Sequence, residues 1–169
     1  MTLRDGPAAM FGRSTRAWVA RGFLVATLVW MSALVMVPFL LASETGGRAV
    51  AVVSAGTYVV GSALCHQRPD RSFRPWGVQM PVCARCAGLY LGAAVGVLLA
   101  GVRRRGTIQG AEAWLRVMVL VAAMPTAMTW IGEAVGWLPF AGEVRAAAAV
   151  PLGAAVTWVA SLVIRGELA

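Results

Sequence analysis

Five uncharged runs constrain this chain more than any other feature: Gly22–Ala42, Ala49–Gln67, Cys86–Val102, Val117–Gly132 and Ala146–Ile164. A helix of about 20 apolar residues spans a bilayer, and about 17 lies near the lower limit. The first, second and fifth runs are long enough as they stand. The third gains length from Pro81–Ala84, and the fourth does so if Glu133 sits at an interface and the helix continues toward Leu138. The expected fold is an all-α, polytopic membrane helix bundle with five transmembrane helices, four being the alternative count.

Composition supports the same class. The chain is 59% hydrophobic and 13% charged, whereas soluble domains carry about 25% charged residues. Met1–Arg21 reads as a short arginine-containing lead-in on the cytoplasmic side. Residues 22–169 read as one integral membrane domain, with a Cys/His loop at 65–86. Arg13, Arg16 and Arg21 before the first run, and "LAS" after it, resemble the flanks of a signal peptide. The run is longer than the roughly 7–15 apolar residues of such a peptide, so a retained anchor in the cell membrane is expected.

The net charge of +8 raises the question of nucleic acid, but every basic residue is an arginine and most stand just beyond an apolar run. Anionic lipid headgroups are met there. Arg103–Arg105 is the only dense cluster and is too small for a duplex-binding face. The expected partner is a lipid bilayer with anionic headgroups, not nucleic acid. Alternation across five spans with the N-terminus inside assigns nine arginines to the inner segments: Arg4, Arg13, Arg16, Arg21, Arg68, Arg71, Arg74, Arg85 and Arg145. Arg48, Arg103, Arg104, Arg105, Arg116 and Arg165 then lie outside, and the positive-inside rule places the Cys/His loop in the cytoplasm.

Gly88, Gly92 and Gly96 form a G-x-x-x-G-x-x-x-G ridge in the third run. Small residues at this spacing let helix backbones approach closely in lipid. The partner is either another helix of this chain, with the Ala/Gly-rich stretch at 146–155 the suited one, or a second copy in a homo-oligomer.

All three cysteines and the only histidine fall in one short polar segment: Cys65-His66, sixteen residues, then Cys83-x-x-Cys86. A C-x-x-C pair facing a second pair across about 15–20 residues is a zinc-site spacing. Pro69 ends the second helix near His66, because the residue before a proline is pushed out of the helical region. Pro81 suits the first turn of the third helix. Cys65, His66, Cys83 and Cys86 would then converge as a complete tetrahedral Cys3His zinc set, a structural site.

The same cysteines support a second reading. A helix N-terminus and neighbouring cations favour the thiolate. Cys83 and Cys86 would form a redox dithiol, with Cys65 as an exchanging thiol and a quinone as the electron acceptor. Three buried cysteines without chemistry are the bland alternative. "CARCA" lacks the histidine of a C-x-x-C-H haem attachment site. Between the pairs, Arg68, Arg71 and Arg74, joined by Arg85, are candidates for gripping an anion or a lipid headgroup, with Phe73 and Trp76 seated in the interface. A third class, a small transporter or ion-handling protein, has Glu133 as its only intramembrane candidate, and the glycines beside it suit an interfacial role better.

"CHQRPDRSF" followed by "PVCARCAGLYLG" closely resembles the signature of a family of small prokaryotic membrane proteins designated domain of unknown function 2085. The likeness runs through Cys65, His66, Gln67, Pro69, Arg71, Ser72 and Phe73. It resumes at Pro81, Val82, Cys83, Arg85, Cys86, Gly88, Tyr90 and Gly92. In the second half Pro125, Arg145 and Gly153 fit the pattern, while Thr129 stands in place of an Asp and Gly142 in place of an Asn. The resemblance implies a membrane location and a Cys/His site, and no established reaction.

Overall fold

The computed structural model describes residues 12–43, 47–103, 106, 110, 112–139 and 141–168. These form five helices: α1 (Arg13–Ala42), α2 (Arg48–Leu64), α3 (Ala84–Val102), α4 (Glu112–Ala134) and α5 (Gly142–Arg165). Two single 3-10 turns, Pro69–Arg71 and Pro75–Gly77, shape the segment between α2 and α3. No strand occurs among the described residues. The protein is therefore a polytopic helical bundle, and α1, α3, α4 and α5 are long and apolar enough to cross a membrane. The second run yields only the 17 residues of α2, because its last three, Cys65–Gln67, leave the helix.

The centre of the bundle is the seam between α3 and α5, set by small residues. A Cβ placed on Gly88, Gly92 or Gly96 would collide with the backbone carbonyls of Ala146, Val150 and Ala154 respectively. Gly153 on α5 meets the Leu89 carbonyl in the same way. The two backbones thus touch along several turns, and dispersion between closely apposed backbones does the work that water exclusion does in a soluble core. The ridge packs against α5 of its own chain, the Ala/Gly-rich partner that the spacing suited. Outward residues such as Val29, Leu99, Leu120 and Val163 are exposed, as lipid-facing positions should be.

The helix ends pair in a way that strict alternation over five spans does not allow. Arg16, near the start of α1, reaches Gly166 just past α5. A Cβ on Gly101, near the end of α3, would lie 3.8 Å from the Leu24 side chain. Arg103 follows α3 and donates to Glu167, which follows α5, at 2.8 Å. At the opposite end, Leu34 of α1 packs in one cluster with Cys65, Met80 and Val82. Phe39 stacks edge-on against Trp76 with ring centroids 5.3 Å apart. Here also Arg85 of α3, Glu133 of α4 and Arg145 of α5 meet.

So α1 and α4 run one way, and α3 and α5 the other. The second helix ends at its cap, Cys65, which packs in one cluster with Leu34, about two turns back from the end of α1. Leu34 and Ala42 are about 12 Å apart along the axis at 1.5 Å per residue. Hence α2 does not carry the chain to the arginine-rich far end.

Candidate thiol centre

The site is built where α2 ends and α3 begins. Cys65 caps α2 in extended backbone, with φ −149° and ψ 141°, and its amide closes the last turn onto the Gly61 carbonyl at 2.8 Å. Cys83 caps α3, also extended, and its carbonyl accepts the Ala87 amide at 2.9 Å. Cys86 sits in the first turn. The three sulfur atoms lie within 4.8 Å of one another, and no disulfide joins them. The Cys83 amide donates to the Cys65 sulfur at 3.2 Å, tying the two helix ends through the site.

His66 is not part of this cluster and is exposed. The reason is local: successive side chains of an extended segment point to opposite sides, so an inward Cys65 sends His66 outward. The end of the helix frees both residues, as expected, but it frees them into a conformation in which they diverge. The Cys3His set thus becomes a three-sulfur set.

Gln67 fixes the distance between the two helix ends. Its φ of +45° is in the left-handed region, which costs a residue with a side chain about 1–2 kcal/mol. Three hydrogen bonds hold it there. Its side-chain amide donates to the Tyr58 carbonyl at 2.8 Å and to the Pro81 carbonyl at 2.6 Å, and its own carbonyl accepts from Gln79 at 2.8 Å. The Tyr58 hydroxyl adds a bond to the Gln79 carbonyl, and the Met80 amide reaches the Phe73 carbonyl at 2.8 Å. Leu34, Met80, Val82 and Ala87, with Trp30, Phe73 and Tyr90 beside them, wall the sulfurs.

Cys83 stands outside the membrane-spanning part of α3, and its acidity is shifted strongly. A hydrogen bond from the Cys86 thiol, together with the Cys86 and Arg85 amides and the Cys65 thiol, pulls its pKa from 9.0 down to about 5 against the opposing effect of burial. This is the behaviour of a cysteine at a helix N-terminus.

The arginines expected to grip an anion are placed differently from one another. Arg68 and Arg71 both face Asp70, at 3.3 and 3.6 Å, in an exposed turn. Arg74 is exposed and lines a groove with Trp76. Arg85 turns away from the loop to Glu133 at 3.2 Å, and Glu133 also takes Arg145 at 2.6 Å, with only 8% and 3% of those two side chains exposed. This buried junction locks the start of α3, the end of α4 and the start of α5 behind the thiols. Its only sequence hint was Glu133 at the end of an apolar run. Thr129 is buried and bonds back to the Thr126 carbonyl at 2.9 Å, and Gly142 faces the Phe73 ring. A Cβ on Gly142 would come within 3.1 Å of that ring, so an Asn there would displace it.

The molecule is a multi-pass helical membrane protein whose polar end carries a cluster of three thiols. It belongs to the family of predicted membrane proteins designated domain of unknown function 2085, whose profile matches residues 65–159, from the first cysteine well into α5. An uncharacterised protein of Methanocaldococcus jannaschii is 34% identical over 76 residues, covering 45% of this chain and 49% of that protein. An uncharacterised protein of Methanothermobacter thermautotrophicus is 53% identical over 30 residues, covering 18% of this chain and 27% of that one. The chain thus spans about half the length of the first relative and less of the second. No solved structure matches it.

Proposed function

We propose that the protein is a membrane thiol–disulfide oxidoreductase whose three-cysteine centre works at the non-cytoplasmic face. The observation that carries this reading is the convergence of Cys65, Cys83 and Cys86 within 4.8 Å at the N-terminus of α3. Residues three apart on a helix have their Cβ atoms about 5–6 Å apart, and modest rotation brings Cys83 and Cys86 to bonding distance.

The chemistry follows from the placement. The Cys83 thiolate attacks a substrate disulfide, forming a mixed disulfide and releasing one substrate thiolate. Cys86 then gives its proton to that thiolate and attacks the Cys83 sulfur. The second substrate thiolate leaves, and a Cys83–Cys86 disulfide remains. Two electrons have passed from protein to substrate, and the reverse sequence oxidises a substrate dithiol. Cys65, within reach of both, exchanges with either sulfur. Resetting the centre from the membrane side calls for a lipid-soluble carrier of two electrons and two protons, the quinone class. An apolar groove of about 420 Å³, lined by Val35, Phe73, Arg74, Pro75, Trp76 and Met80, supports this. Phe73 and Met80 pack against the cysteines, so a ring seated there would lie beside the sulfurs.

Orientation supports the redox reading. With α1 and α4 parallel, Arg13, Arg16, Arg21, Arg103, Arg116 and Arg165 lie at one end among the described residues, and the sequence adds Arg4 ahead of α1 and Arg104 and Arg105 directly after Arg103, nine arginines in all. Arg48, Arg68, Arg71, Arg74, Arg85 and Arg145, six, belong to the thiol end, and Arg85 and Arg145 there are engaged by Glu133. The positive-inside rule then favours a cytoplasmic arginine end and thiols on the far side, where disulfides persist in many cells. Five alternating spans would instead put the Cys/His loop in the cytoplasm.

A second reading is a thiophilic metal ion, zinc above all, held by the same three sulfurs, which the cluster's compactness favours. His66 does not supply the fourth ligand, so such a site would keep an open position. Metal analysis of the purified protein beside a thiol count separates the two. The redox reading expects no stoichiometric metal and a Cys83–Cys86 disulfide that forms and opens with added oxidant and reductant. One metal ion per chain with three protected thiols would replace it with the metal site.

A further inference from the structure

The arginine-rich end holds a cavity of about 670 Å³ between the first turns of α1 and the end of α5, with Arg16, Arg21 and Arg165 around it. Its inner wall is a helical stripe of α1, Ala17, Ala20 and Leu24, in which the two alanines make the room. We propose that this cavity binds one anionic phospholipid, its phosphate toward Arg16 and Arg21 and an acyl chain along Ala20 and Leu24.

Charge and shape argue together. Among the described residues lining the cavity Glu167 is the one carboxylate, and it is buried and engaged by Arg103 at 2.8 Å and by Arg165 at 4.0 Å. Among the described residues, Arg16, Arg21 and Arg165 line the cavity with this single carboxylate, which Arg103 also holds. Arg16 and Arg21 form no ion pair with a carboxylate among the described residues. Arg21 lies over the Trp18 ring, 5.4 Å from its centroid, and aromatic residues of this kind anchor at headgroup level. Arginine matches phosphate through a planar fork of donors. A soluble phosphate has no use for the apolar stripe, and a neutral lipid has none for the arginines. The occupant that satisfies both is an anionic phospholipid.

The test is native mass spectrometry of the full-length protein in a neutral detergent, titrated with phosphatidylglycerol or with phosphatidylcholine of identical acyl chains. One phosphatidylglycerol per chain should bind at least about tenfold more tightly than phosphatidylcholine. The double variant Arg16→Gln, Arg21→Gln should lose roughly 30-fold in affinity, as expected for two interfacial arginines. Ala20→Trp, which fills the cavity and keeps every charge, should also abolish the bound lipid. That variant keeps the test decisive if the double variant does not fold. Equal binding of the two lipids, undiminished binding in Ala20→Trp, or full competition by glycerol 3-phosphate would overturn the proposal.

Discussion

The two ends of the bundle differ in what their arginines face. At the thiol end Glu133 holds Arg85 and Arg145 in a buried junction and Asp70 holds Arg68 and Arg71 in an exposed turn, while Arg48 and Arg74 are exposed outside these pairs. At the other end Glu167 meets Arg103 and Arg165 and Glu112 pairs with Arg116, while Arg16 and Arg21 face a cavity. The difference teaches what each end does. One holds a buried ion-pair junction behind three sulfurs, while the other presents Arg16 and Arg21 to a cavity. The α3–α5 seam joins them, so damage to it should be felt at both.

The largest effect should come from Glu133→Gln. It removes the carboxylate shared by two arginines in a buried junction, and breaking such a pair costs about 3–5 kcal/mol. Thermal unfolding in detergent should report that loss. Thiol reactivity at Cys83 and Cys86 should rise as the start of α3 loosens, while lipid binding at the far end stays the same. Equal damage at both ends would erase the distinction between them.

Next in size is Gly92→Leu. The new side chain would enter the space of the Val150 carbonyl, and overpacking costs about 1–3 kcal/mol and occasionally more. Size-exclusion profiles should show a lower yield of folded protein and disturbance at both ends. An unaffected profile would mean that the seam is not the shared frame.

Much of this arrangement is legible in the residues. The apolar runs give the helices, the glycine spacing gives the seam, and the Cys spacing gives the meeting of two helix ends. What the spacing does not carry is the direction of a side chain after a helix has stopped. Cys65 and His66 are neighbours, and only the extended backbone at Cys65 separates them into an inner and an outer residue. Glu133 was visible as a lone acid, but its partner Arg85 is 48 positions away in sequence, and no local period relates them. The second run was misleading for a similar reason. Its apolar length suits a span, yet Gln67 pins its end to Pro81 at 2.6 Å and Cys65 stays beside Leu34 of α1.

Smaller but more specific is the pH dependence of Cys83. With its pKa pulled down to about 5, the thiolate persists as pH falls until that value is crossed. Alkylation at Cys83 should therefore be nearly flat above about pH 6 and drop tenfold per unit below 5, whereas an ordinary thiol loses reactivity below about 8.5. A rate still climbing between pH 7 and 9 would deny Cys83 its role as the attacking thiolate. The smallest effect belongs to Arg68→Gln. Arg68 and Asp70 are each 58% exposed, and such pairs contribute about 0–1 kcal/mol. Stability and thiol reactivity should both stay within error of wild type, in contrast to Glu133→Gln.

The central claim is that the thiol end and the arginine end lie on opposite sides of the membrane, with the thiols outward. Arg74 and Arg116 are exposed and belong to the two ends, so Arg74→Cys and Arg116→Cys report the sides directly. Intact cells carrying each variant would be treated with a membrane-impermeant thiol reagent, with wild type setting the background of the native cysteines. Labelling at position 74 before permeabilisation, and at position 116 only after it, is the predicted result. The reverse pattern would place the three sulfurs in the cytoplasm and contradict the account.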